Sequence, residues 1–178
     1  MTLSMMTLRA APVALALVLS ACGGGSNESA DAYCPAPFTV QDAGRLTHFR
    51  DGPGRDPRDV EYEAVLTGAG TKCSLRRNQM DVTLIMRVAV TAGPSAIAGQ
   101  TRVPYFVRVI GASGQVVQGQ DFTADFKLSN ASPRGQSQEE LNLTLPFSQI
   151  SELGNYRIAV GLKPSQEELE YNRRMGQR

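Results

Sequence analysis

The chain has no tryptophan, a single histidine (His48) and only three cysteines among its 178 residues. One histidine leaves no His-x-x-x-His pair, and there is no Cys-x-x-Cys, so zinc has no visible ligand set. A Ser-His-Asp triad would have to centre on His48, and no Gly-x-Ser-x-Gly elbow is present. A phosphate-cradling Gly-x-x-x-x-Gly-Lys loop and an EF-hand are likewise missing. These absences argue against an enzyme and against a bound cofactor. The longest unbroken apolar run, Ala10 to Leu19, has ten residues, half of the ~20 that a helix needs to cross a bilayer.

Charge of one sign is lacking too. Arg9 is the only charged residue before Cys22, and the chain after Ala21 carries 17 Lys and Arg against 17 Asp and Glu. Nucleic-acid binders show a basic excess or stripe, so this class of partner is not expected. No polybasic patch points to anionic lipid.

What the beginning does contain is a weakly basic start, a short apolar middle and small residues before a cysteine, which together describe an export signal. Leu19-Ser20-Ala21-Cys22 resembles the lipobox of bacterial lipoproteins. The resemblance implies cleavage after Ala21 and a diacylglycerol thioether on Cys22, which becomes the lipidation site. Acyl chains contribute ~0.8 kcal/mol per buried CH₂, so more than one chain gives a stable anchor. Gly23 stands where an Asp tends to retain such proteins in the inner membrane. The resemblance therefore implies an envelope protein facing the periplasm from the outer membrane, with the bilayer as its first partner.

On this reading residues 1–21 are a leader, 22–33 a Gly- and Ser-rich flexible tether, and 34–178 one folded domain. Once Cys22 is modified, Cys34 and Cys73 remain. An oxidising periplasm makes a Cys34–Cys73 disulfide the expectation; a two-cysteine metal site is the alternative, and it lacks further ligands.

From Val60 onward apolar residues recur with a period of two. Tyr62, Ala64 and Leu66 form the first row. Val82 to Val90, Val103 to Val109, Phe122 to Leu128, Leu141 to Phe147 and Tyr156 to Leu162 form five more. Alternate side chains of a strand face opposite ways, so each row predicts one buried face of a half-solvated strand. Six such strands without helical interruptions predict an all-β, antiparallel sandwich. Gly111-Ala112-Ser113-Gly114 reads as a hairpin turn, Gly119 as a bulge, and Asp51 to Pro57 as a turn-rich loop.

Ile150 to Tyr156 resembles the tyrosine corner of immunoglobulin and fibronectin type III sandwiches, in which a Tyr opening strand F bonds back to upstream backbone. That resemblance implies an immunoglobulin-like fold with Tyr156 in this role. It leaves a seventh strand unaccounted for, because Pro164 to Arg174 reads instead as a short C-terminal helix, with Ser165 and Glu168 at capping-box spacing and Glu170 and Arg174 as i,i+4 partners. The segment from Cys34 to Phe49 is expected to supply the missing edge strand, although Val40, Ala43, Leu46 and Phe49 at three-residue spacing also suggest a short helix.

Glu61 with Glu63 and Glu139 with Glu140 are carboxylate pairs of the kind a glycosidase uses, but Glu61 and Glu63 alternate with apolar residues, as solvent-facing strand residues do. Phe106 beside Arg108 marks a possible outer aromatic. The chain is also similar to small proteobacterial lipoproteins, through Cys34-Pro35, Cys73, Gly93-Pro94, Tyr105 to Val107, and Tyr171-Asn172-Arg173. This resemblance implies no particular activity. The expectation is a non-enzymatic docking or structural module for an envelope protein. The alternative is a small-ligand or glycan binder built on the loops Asp51 to Arg58 and Gly93 to Thr101.

Overall fold

A computed structural model describes residues 28–176. Cys22 and the leader lie outside the described residues. The chain is a sandwich of two four-stranded sheets. Strands β1 (Pro37–Thr39), β8 (Arg157–Leu162), β5 (Gly99–Ile110) and β6 (Val116–Leu128) form one, in that order. Strands β2 (Arg45–Phe49), β3 (Val60–Leu75), β4 (Gln79–Ala92) and β7 (Arg134–Pro146) form the other. All pairings are antiparallel except β1 with β8. A short helical turn, α1 (Glu28–Asp31), precedes the first strand, and helix α2 (Gln166–Gly176) follows the last.

The period-two rows are the core. In β4, Met80, Val82, Leu84, Met86, Val88 and Val90 are all buried, while the residues between them face outward. Val103, Tyr105, Val107 and Val109 of β5 meet them from the other sheet. Burying a side chain of this size contributes about 1.5–3 kcal/mol, so the facing rows of β4 and β5 carry much of the stability. Strand β8 differs: both faces are covered, because Ala43 and the Phe106 ring pack on its outer side over Gly161. A Cβ at Gly161 would clash with both. Phe106 is thus half-covered, with the Arg108 guanidinium 5.2 Å from its ring centre, and is not an open aromatic surface.

The order β3-β4-β7 opposite β8-β5-β6 places the strands as A-B-E and F-C-C′ of an immunoglobulin-like sandwich. Beside β8, β1 occupies the position of the seventh strand, in parallel, and β2 extends the other sheet. The segment 34–50 therefore supplies an edge to each sheet. No helix forms over Val40 to Phe49. Asp42 takes a left-handed conformation (φ 65°) in a tight turn after β1, and the chain then pairs with the free edge of β3. Three-residue spacing over ten positions does not distinguish a helix from a turn followed by a strand. Tertiary pairing decides it.

Cys34 and Cys73 are joined in a disulfide with Cα atoms 5.6 Å apart. Ala30 is buried and α1 packs near β3, so residues 28–33 of the expected tether lie against the domain. The Gly111–Gly114 turn joins β5 and β6 as expected. The bulge falls at Val117, not at Gly119: Val109 pairs with Gln118, and Ile110 with Val116. Gly119 instead lets the Arg108 side chain lie flat across β6.

Tyr156 completes the tyrosine corner, its hydroxyl donating to the Pro146 carbonyl at 2.8 Å. Leu153, fully buried one turn earlier, plugs the gap between the sheets. Tyr156→Phe removes only that exposed hydrogen bond, and is expected to cost about 1 kcal/mol in a urea unfolding curve. A change below the resolution of the curve would show that the ring, not the hydroxyl, holds the corner.

Candidate functional site

A cleft of about 840 Å³ opens at one end of the sandwich, between the edge of the β2–β3 sheet, the start of β5 and the start of α2. Each wall has a local cause. Arg50 and Asp59 clamp the ends of the loop between β2 and β3. The Arg50 side chain donates to Asp59 Oδ1 at 2.6 and 2.9 Å, and its backbone N–H donates to the Asp59 carbonyl. Asp59 is buried and also caps the short 3₁₀ turn Pro57–Asp59. Arg55 donates to the Gly52 and Gly54 carbonyls and to Glu167 of α2. The turn-rich loop is therefore a built wall. Outside the cleft, Gly93 approaches β3 so closely that a Cβ would strike the Val60 carbonyl.

At the floor, His48 sits in a carboxylate frame. Its Nδ1 lies 2.7 Å from Glu168 Oε1, and its Nε2 lies 3.9 Å from Glu61 Oε2. The imidazole packs against the Tyr62 ring with centroids 4.8 Å apart. The Ser165 backbone N–H donates to Glu168 Oε2 at 2.7 Å, and Ser165 Oγ accepts from the Glu168 N–H, which is the expected capping box. Glu168 thus closes the helix start with one oxygen and grips His48 with the other. The hydrogen bond with Glu168 raises the His48 pKa above its ordinary 6.5, against the opposing effect of partial burial; Glu61 and Asp51 add to the rise. Burial pushes the Glu168 carboxyl up, but the bonds from His48 and Ser165 outweigh it and hold the group below its ordinary 4.5. Both shifts favour the ionic pair, in which Nδ1–H donates to Glu168 Oε1. Burial also pushes the Tyr62 phenol well up, and its neutral hydroxyl donates to the Arg102 carbonyl at 2.9 Å.

The rim carries Gln100, Arg102 and Lys163. Lys163 is paired with Asp121. The exposed Arg102 guanidinium has no hydrogen bond or ion pair among the described residues. The cleft thus offers donors on one wall and the Glu61 and Asp51 carboxylates on the other. Within the described residues, His48 Nε2 faces the Glu61 carboxylate across the cleft.

Of the residues singled out from sequence, Cys34 and Cys73 lie far from this cleft and Cys22 lies outside the described residues. Asp51, Gly52, Arg55, Gln100 and Thr101, from the two loops named for the ligand-binder alternative, do line the same cleft. Gly93 to Ala98 line a separate, smaller depression. Glu61 faces the cleft, while Glu63 of the same strand lines a separate, smaller groove beside α2. The His48–Glu168 pair joins residues 120 positions apart, and no spacing rule connects them. Among the described residues no three or more His, Cys, Asp or Glu side chains are placed to hold a metal ion, and no helix is long and apolar enough to cross a membrane. The chain matches no protein-family model, and no curated protein matches it.

Proposed function

We propose that this chain is a lipid-anchored envelope lipoprotein, held at the periplasmic face of the outer membrane by Cys22. It acts as a non-enzymatic docking module whose recognition site is the His48–Glu168 cleft. The observation that carries this reading is the position of the cleft. Cys73 and Tyr62 are separated by 11 residues along β3, about 35 Å at strand rise. The chain enters beside Cys73, so an anchored domain would present the cleft at the pole remote from the membrane. The cleft is open and largely polar, which suits a polar segment of an envelope protein better than a small apolar ligand. Its volume favours the second reading, a glycan or small polar ligand, since such sites hold about 300–1,000 Å³.

Two measurements test it. Cys22→Ser moves the protein from the membrane to the soluble fraction; retention in the membrane fraction would refute the anchor. A photoreactive residue at position 102 of the lipidated protein, in native membranes, gives a discrete adduct that Lys163→Glu abolishes, while the same probe at Gln136 on the open side of β7 gives none. A protein adduct supports docking and a glycan adduct the second reading. Equal labelling from both positions, or none, overturns the assignment of the cleft.

A further inference from the structure

The pole opposite the cleft carries a second surface. Here the β5–β6 turn, the connection from β7 to β8, the β3–β4 turn and the entry of the chain come together. The registers fix this: Pro37 pairs with Ile158, Ile110 with Arg157 and Val116, and Gln79 with Pro146. Three apolar side chains stand open at this end: Val116 at 56% exposure, Val117 at 59% and Ile150 at 41%. Val117 and the Glu152, Asn155 and Tyr156 side chains share one depression with Gly111, so the hairpin tip and the β7–β8 connection adjoin at this end. The same end of the sandwich carries the exposed cations Lys72, Arg76, Arg77 and Arg157, with Arg76 paired to Asp81 and Arg157 lying over the Phe38 ring at 4.6 Å. Besides Asp81, it carries the exposed acids Glu152 on the β7–β8 connection and Asp31 at the chain entry. Exposed apolar tips with arginines at the same end suit a phospholipid surface, with the tips at the acyl boundary and the guanidinium groups at phosphate level.

The covalent path selects the same occupant. Only five residues lie between Cys22 and Glu28, the first described residue, a reach of at most about 20 Å. The sheet that carries both the chain entry and the hairpin tip is four strands wide, about 15 Å. If Cys22 is lipidated, as proposed above, this pole is the one held within about 20 Å of the bilayer.

We infer that the rim formed by Val116, Val117 and Ile150 seats on the phospholipid surface to which Cys22 is anchored, and fixes the domain upright with its cleft facing the periplasm. This surface rests on the proposed lipidation, and the test separates the two.

The absence of native tryptophan makes each introduced one a single reporter. Full-length lipidated protein carrying Val117→Trp, and separately Ile150→Trp, is reconstituted into phosphatidylethanolamine–phosphatidylglycerol vesicles with and without brominated acyl chains. Ile97→Trp, at a position 76% exposed on the cleft side, is the control. Both rim reporters are expected to shift to the blue and lose about half or more of their emission to bromolipid, as side chains seated about 5–10 Å into the interface do. Ile97→Trp is expected to lose almost none. Protein that carries no lipid on Cys22 by mass spectrometry and does not float with the vesicles refutes the anchor. Protein that floats, yet whose rim reporters are quenched no more than Ile97→Trp, refutes the rim while leaving the anchor standing. A blue shift without bromolipid quenching means that a second copy or another protein covers the rim, and overturns the inference equally.

Discussion

Replacing Cys34 and Cys73 together by alanine is expected to lower the unfolding free energy by about 4 kcal/mol in the chain-entropy account of a loop this long. The bond spans a sequence separation of 39. What it secures is disproportionate to its size. Strand β1 has three residues and three register pairs, all to β8, and a strand so short contributes little pairing energy of its own. Thr71 Oγ1 also donates to the Pro35 carbonyl at 2.9 Å just before it. Without the bond, residues 28–39 are free to leave the edge of β8, exposing the backbone groups of Ile158 and Val160 that β1 now satisfies. Urea unfolding of the double variant, beside the native protein with and without reductant, measures the loss. The double substitution avoids a free thiol that would confound the curve. A loss below about 1 kcal/mol would mean that pairing and the burial of Ala30 hold the edge unaided.

The distribution of long and short elements explains which parts could be read in advance. Strands β3 to β7 announce themselves because alternation of apolar and polar residues over five or more positions has no helical equivalent, and β8 shows the same apolar row although both of its faces are covered. The tyrosine corner and the Ser165–Glu168 capping box are also local patterns, completed within about ten residues, and both are present in the structure. Strands β1 and β2 are different. Phe38 lies under Arg157, and β2 buries the adjacent pair Leu46 and Thr47, so neither strand shows alternation. Their conformation comes from the free edges of β8 and β3, which are distant in sequence. The cleft follows the same division. Its loop walls are rich in Gly, Pro and Asp and were legible as loops. The His48–Glu168 contact depends on α2 folding back across β2, and nothing in either segment encodes that by spacing. Glu170 illustrates the limit of even local rules: its carboxylate accepts from Gln166 rather than from the expected Arg174.

Glu168→Ala is expected to release α2 from the sandwich while leaving the two sheets folded. The helix has 11 residues, short of the ~12–15 at which isolated helices become even marginally stable in water, so it exists only while docked. Its apolar contact is slight, with Tyr171 edge-on to Phe49 at 4.9 Å as the principal aromatic contact. The rest of the docking is polar. Thr47 Oγ1 donates to Asn172, Asn172 donates to the Arg45 carbonyl, and Arg173 pairs with Asp42. Arg55 pairs with Glu167 on an exposed face, where such pairs are worth little. Glu168 is the exception, with a side chain only 10% exposed, and its loss removes both the His48 bond and half of the helix cap. His48 is 43% exposed, so its share is discounted for solvent screening, and about 1–2 kcal/mol of docking free energy is at stake. That corresponds to a roughly 5- to 30-fold fall in hydrogen-exchange protection over 166–176, with β4 and β5 unchanged. The pH dependence carries a sign that a purely structural role would not. The raised His48 pKa makes its contribution complete below 6.5 and lost as pH rises through the raised value. The lowered Glu168 pKa makes its contribution complete above 4.5 and lost as pH falls through the lowered value. Protection of α2 should therefore be greatest between pH 4.5 and 6.5 and decline on the alkaline side in the native protein, and the alkaline decline should vanish in His48→Ala. A helix whose protection is flat from pH 5 to 9 in the native protein would show that the neutral imidazole serves equally well, and that the ion pair contributes nothing to closing the cleft.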